Sequence, residues 1–180
     1  MATKRLFFGT FVDKTLFEGL LDEVKDSFNS ILNGKWTDAH NLHFTYKFLG
    51  NVDEDKIPEI TKHVSRSLNE IDSVLKIAGI GTFPLNNKPQ MVFAKIFNPD
   101  KSIFYHFNNI ESSMVKLGFP KERRKFFPHI SLIRVKEVNG DYAELLQSYQ
   151  DLQFGYMKNY RVNLIESKLT QAGPIYNIIA

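Results

Sequence analysis

Residues 42 to 49 read Leu-His-Phe-Thr-Tyr-Lys-Phe-Leu, and residues 129 to 135 read His-Ile-Ser-Leu-Ile-Arg-Val. Both are rich in aromatic and branched apolar residues, as strands are, and each carries a histidine followed two residues later by a hydroxyl. In a strand, residues i and i+2 share a face. Leu42, Phe44, Tyr46 and Phe48 are therefore expected to face the core, while His43, Thr45 and Lys47 point the other way. His129 and Ser131 are disposed identically beside Ile130 and Leu132. The histidines lie nearly half the chain apart. Such a repeat is expected to build two similar lobes whose polar pairs oppose each other across a groove.

By itself His-x-Ser/Thr is a weak pattern. Five histidines should give about half of one match by chance at ordinary Ser and Thr content, whereas the chain has three. The third, His63-Val64-Ser65, serves as a control, because it falls in a segment of helical period where Val64 belongs to the apolar stripe. Residues two apart on a helix point away from each other. His63 is expected on the solvated surface.

The rest of the chain alternates between helix-period and strand-type segments. Apolar residues from Leu16 to Leu32 recur at spacings of three and four, giving an amphipathic helix over Thr15 to Gly34, with Thr15 and Glu18 as a capping box. Further helices are expected from Asp55 to Ile71, from Lys101 to Leu117 and from Asp141 to Tyr149. Strands are expected at Arg5 to Phe11, Leu42 to Leu49, Leu75 to Ile80, Met91 to Phe97, Ile130 to Val135, Tyr160 to Ser167 and Tyr176 to Ile179. With 180 residues, 43% of them hydrophobic, and no linker-like stretch, residues 1–180 are expected to form a single α+β domain with internal pseudo-symmetry. The run Leu6 to Val12 is too short for a membrane span or a secretory core, so a cytoplasmic protein is expected.

The chain has no cysteine, which excludes disulfides, thiolate metal sites and cysteine nucleophiles. Zinc would want a third protein ligand at suitable spacing, and no HxxxH or HxE pattern is present, so no metal is expected. Two imidazoles suit a different chemistry. Water attack on a phosphodiester needs one group to accept a proton and another to donate one, and imidazole does both near neutral pH. The neighbouring hydroxyls can donate hydrogen bonds to phosphate oxygens. Net charge is +3, and Lys121-Glu122-Arg123-Arg124-Lys125 alone carries that excess just before Phe126-Phe127-Pro128-His129. Such a segment is either a solvated face or a path for a polyanion.

These residues resemble the two-histidine phosphoesterase superfamily, and within it the bacterial and archaeal RNA 2',3'-cyclic phosphodiesterases, also called 2'-5' RNA ligase-like proteins. The resemblance runs nearly end to end: the opening strand Arg5-Leu6-Phe7-Phe8, NLHFTYKFLGNV, the hairpin GTFPLNNKPQMVFAKI, FFPHISLIRV and the closing LIESKLTQAGPIYNII. It implies two lobes of antiparallel sheet with outer helices around a central groove. It also implies metal-independent, cofactor-free hydrolysis of an RNA 2',3'-cyclic phosphate to a 2'-phosphomonoester, with 2'-5' ligation as a reverse reaction. His43 and His129 are then the catalytic pair, Thr45 and Ser131 the phosphate binders, and Arg123, Arg124 and Lys125 RNA contacts. Arg134 matches an arginine of the family five residues after the second histidine and is read as a further phosphate contact, although strand parity turns it away unless the strand bulges. Ser131 replaces the commoner threonine, and Gln90 stands where the family often has arginine. The partner implied is RNA with a cyclic phosphate end, acted on by a monomer with no membrane or obligate protein partner. Alternatives that keep the site are a cyclic nucleotide, an ADP-ribose cyclic phosphate or a 2'-5' oligonucleotide as substrate. A non-catalytic RNA-binding module is a third reading.

Overall fold

The strand-type segments pair into two antiparallel sheets, as seen in a computed structural model that describes residues 2–85 and 88–180. One sheet consists of β1 (Thr3–Phe11), β3 (His43–Asp53), β8 (Asn163–Thr170) and β9 (Gly173–Ile178), in the spatial order β3-β1-β8-β9. The other consists of β2 (Leu32–Trp36), β4 (Glu70–Leu85), β5 (Lys88–Phe97), β6 (His129–Val138) and β7 (Gln153–Arg161), in the order β2-β6-β5-β4-β7. The tip of the β4–β5 hairpin, residues 86–87, lies outside the described residues. The fold is α+β with two pseudo-symmetric sheets. In each, the histidine strand pairs with a neighbour of matching register: Gly9 faces Thr45 as Phe93 faces Ser131, and Phe7 faces Phe48 as Met91 faces Arg134.

The two sheets are not the two halves of the chain. The last two strands join the first sheet, and β2 joins the second at the outer side of β6. This crossing explains where the expected elements fail. The segment from Thr15 to Gly34 is not one helix: a 3-10 turn (Lys14–Phe17) is followed by Gly19 at φ 76°, then α1 (Leu20–Phe28), and Leu32 opens β2. Gly19 occupies the left-handed region that ends a helical run and suits glycine. Asp13, not Thr15, caps the first turn, its carboxylate accepting from the Thr15 amide at 3.0 Å and the Thr15 hydroxyl at 2.7 Å. The apolar stripe is still buried, from Phe17 through Leu21, Val24 and Phe28 to Leu32. Burial followed the period, while the backbone changed element beneath it.

The remaining helices are α2 (Ile57–His63), α3 (Ser102–Lys116) and α4 (Ala143–Ser148). The second ends eight residues before the expected Ile71, since β4 already starts at Glu70. Ser65, Ser67 and Asn69 favour local turns over helix there. His63 is exposed and Val64 buried, as the control required. The run Tyr160 to Ser167 divides at Val162 between β7 and β8, which lie in different sheets.

Each histidine strand carries an extra residue at the same place, besides a further one beyond it at Leu49 of β3 and at Lys136 of β6. Phe8 faces Lys47 and Gly9 faces Thr45, so Tyr46 is the extra residue in β3; Val92 faces Ile133 and Phe93 faces Ser131, so Leu132 is its counterpart in β6. Beyond such a bulge the alternation inverts. The inversion corrects the expected facing of β3: Phe48 is 66% exposed and Lys47 is buried. Lys47 Nζ is held by Glu111 Oε2 of α3 at 2.8 Å and by the Pro120 carbonyl at 2.8 Å, while Glu111 Oε1 accepts the Glu122 amide at 2.6 Å. This ion pair ties β3 to α3 and to the segment leading into β6. Removing one partner leaves a buried charge alone. Lys47→Met or Glu111→Leu is expected to cost about 3–5 kcal/mol in urea unfolding, and the double variant to recover much of that loss.

Candidate active site

Strand alternation and the shared bulge bring five of the expected residues to one place. His43, Thr45, His129, Ser131 and Arg134 all line a cavity of about 530 Å³ between the sheets. His43 and Thr45 come from β3, where the His43 ring packs against Phe7 of β1 and Tyr176 of β9; His129 and Ser131 come from β6, beside Met91 of β5. Because of the bulge at Leu132, the odd offset from His129 to Arg134 does not turn the arginine away. At the equivalent step in β3 stands Phe48, which lines the same cavity. One side of the groove thus offers a guanidinium where the other offers a phenyl ring.

The two histidines are held alike. His43 Nδ1 lies 2.6 Å from the Asn41 carbonyl and His129 Nδ1 lies 2.7 Å from the Phe127 carbonyl, in each case two residues back. A carbonyl only accepts, so Nδ1 carries the proton and Nε2 is the nitrogen left for a ligand. Aromatic rings pack around both. His43 sits between Phe7 at 5.1 Å and Tyr176 at 5.0 Å, and His129 against Phe83 at 4.8 Å and Phe93 at 5.4 Å between ring centres. This burial pulls both imidazoles below their ordinary value of 6.5, opposed in each case by the carbonyl contact. The charge of His129 lowers His43 further. Among the described residues Ser131 Oγ is engaged only by the weakly accepting Met91 sulfur at 3.1 Å, so it is available to a better acceptor.

Other expected residues are not brought here. Arg123, Arg124 and Lys125 are exposed and none lines the cavity; the amides of both arginines bond to Glu122 Oε1. Gln90 is exposed, next to the lining residue Met91. Phe126 stacks on Phe107 at 4.2 Å in the core, whereas Phe127 is 51% exposed beside His129. The sequence pattern missed Arg5, Lys35, Trp36 and Tyr176, which line the cavity from β1, β2 and β9. Lys35 and Trp36 were hidden because the period around them was helical up to Leu32. Among the described residues no group of three or more His, Asp or Glu side chains is placed to hold a metal ion, and no helix is long and apolar enough to cross a membrane.

The model of the LigT-like phosphoesterases matches the chain twice, over residues 16–93 and 98–176, one match per histidine motif. The chain belongs to the LigT-like phosphoesterase family. Relatives agree along most of their length. The RNA 2',3'-cyclic phosphodiesterase of Methanocaldococcus jannaschii is 35% identical over 147 residues, covering 81% of this chain and 82% of the relative. That of Aquifex aeolicus is 29% identical over 182 residues, covering 99% and 96%. Among solved structures, TT0787 of Thermus thermophilus superposes with a TM-score of 0.77 at 22% identity, covering 98% of this chain and 95% of that one. This likeness shows the shared fold. The double family match also explains the matched bulges, since both motifs belong to the same repeated unit.

Both imidazoles of this LigT-like chain are expected to titrate below 6.5 by NMR, with nitrogen shifts reporting the Nδ1-protonated tautomer when neutral. A folded value below the unfolded one means that the native state resists protonation. Conformational stability is therefore expected to be intact above about pH 6.5 and to fall as pH drops through that value. Replacing both histidines with glutamine should flatten that part of the stability curve.

Proposed function

We propose that the protein hydrolyses 2',3'-cyclic phosphate ends of RNA to 2'-phosphomonoesters, using its two histidines and no metal. One observation carries this: two histidine-hydroxyl pairs, each with Nδ1 on a carbonyl two residues back, face one cavity between pseudo-symmetric sheets. The names of the relatives, RNA 2',3'-cyclic phosphodiesterases, point to the same chemistry.

In this proposal Thr45 and Ser131 donate hydrogen bonds to the non-bridging phosphate oxygens as negative charge grows on them. Neutral His129 accepts a proton from water through Nε2, and the water oxygen bonds to phosphorus. The bond from phosphorus to the 3' oxygen breaks, and protonated His43 gives its Nε2 proton to that oxygen. The 2'-phosphate remains. The cycle ends with His129 protonated and His43 neutral, and exchange with solvent resets both. A 5'-hydroxyl in place of water would give a 2'-5' linkage by the same route. Arg134 adds a positive charge to the cavity, and the enzyme acts as a monomer.

The test is to incubate the protein, with EDTA, with a short RNA ending in a 2',3'-cyclic phosphate and to separate the products against 2'- and 3'-phosphate standards. A 2'-phosphate is expected, with turnover reduced by about 10²–10⁴ in His43→Ala or His129→Ala. Thr45→Val and Ser131→Ala are each expected to lower kcat by about 10²-fold. Full turnover in both histidine variants, or inhibition by EDTA that added metal reverses, would refute the mechanism. Because the free imidazoles are held low by burial, the kcat/KM profile should be a bell displaced to the acid side of the kcat profile. A bound phosphate anion favours the protonated imidazole and shifts the alkaline limb of kcat upward.

A further inference from the structure

The pseudo-symmetry of the cleft is broken by one strand. β2 lies beside β6, and among the described residues no strand takes the matching place beside β3. It places Lys35 directly across from Arg134 in the sheet register, a pairing of like charges that is unfavourable without an anion between them. Gly34 permits the close approach, because a Cβ there would collide with the Arg134 carbonyl. Lys35 also reaches the opposite sheet: its Nζ lies 3.0 Å from where a Cβ at Gly173 would stand, at the start of β9. Arg5 joins from β1, on the side of Tyr176, whose phenol feels both Arg5 and Arg134.

These three cations line the histidine cavity against a single carboxylate, Asp38, and none of them forms an ion pair among the described residues. The Lys35–Arg134 row stands four strand steps beyond His129, roughly 13 Å along the backbone. That backbone separation leaves room for the cation row and the histidine pair to address different groups of one ligand. We propose that Lys35, Arg134 and Arg5 form a second phosphate subsite, which holds a phosphate one ribose away from the cyclic phosphate. The proposal rests on the reading that the histidines flank that cyclic phosphate. The second phosphate is either a 5'-phosphomonoester or the internucleotide phosphate of an RNA chain, and the subsite favours both over a nucleoside carrying one phosphate only.

The test reads binding without turnover. Adenosine 2'-monophosphate, adenosine 2',5'-bisphosphate and a 2'-phosphorylated adenosine dinucleotide are titrated by calorimetry into the wild-type protein and into Lys35→Met, Arg5→Met and the double variant. The second phosphate is expected to tighten binding about tenfold at low salt. Each single substitution should remove about threefold of that advantage and the double variant nearly all of it, and added salt should shrink it. A gain confined to the dinucleotide identifies the internucleotide phosphate, and a gain confined to the bisphosphate identifies the terminal one; either establishes the subsite. Equal affinities in the wild type, or a preference that survives the double substitution, would overturn it. A protein that shows the preference but does not open the cyclic phosphate keeps the subsite and loses the proposed function. Turnover without the preference does the reverse.

Discussion

One inserted residue in each histidine strand governs the geometry of the cleft. Without the bulges at Tyr46 and Leu132, strict alternation would point Lys47 into the groove with His43 and Thr45, and turn Arg134 away from His129 and Ser131. With them, the first two polar positions of each motif stay in the groove, the next two residues go inward, and the following residue returns to the groove. The burial sequence along the first seven residues of β3 and β6 is the same. Lys47 is the cost of that inversion on one side, and Glu111 with the Pro120 carbonyl offsets it. On the other side Ile133 takes the buried position and needs no such partner.

The electrostatic state of the histidines follows from their packing. Each ring has an aromatic partner from a neighbouring strand and a backbone carbonyl on Nδ1, so orientation and tautomer are set by groups that do not titrate. Dispensing with a carboxylate partner leaves burial as the dominant influence, and the protein without ligand favours neutral imidazoles. An anionic ligand reverses that preference at close range. In the proposed reaction the acid would therefore be charged by the arrival of the phosphate on which it acts.

The motif residues were legible because the period of two is a local property: His43 with Thr45, and His129 with Ser131, share a face in any strand. The buried stripe of α1 was legible for the same reason, through the period of three and four, as were Ile103, Ile110 and Met114 of α3, whereas Phe104, expected inward with them, is exposed and Glu111 is buried by its ion pair with Lys47. The sequence did not disclose where periodicity changes hands between elements. Leu32 satisfies both the helical stripe and the first inward position of β2, so nothing local marks the switch. Val162 is likewise buried in a run that serves two sheets. The bulges were invisible because an inserted residue is defined by its partner strand. For Arg134, parity pointed one way and resemblance the other, and the backbone agreed with the resemblance.

Those same blind spots concealed the asymmetry of the cleft. The paired motifs describe a site that is nearly its own mirror across the groove, and a symmetric site cannot by itself choose which bond of a cyclic phosphate to break. The choice must come from residues outside the repeat. Phe48 opposite Arg134 is one such difference, set by a single position in the repeated unit. β2 is the other, because it adds Lys35 and Trp36 on the side of the second motif only. A ligand with an apolar base and a further phosphate can satisfy both differences in one orientation and neither in the other. In the proposed reaction, bond selection would then be a consequence of strand order: the strand that lies outside the pseudo-symmetry would orient the substrate for the residues that lie within it.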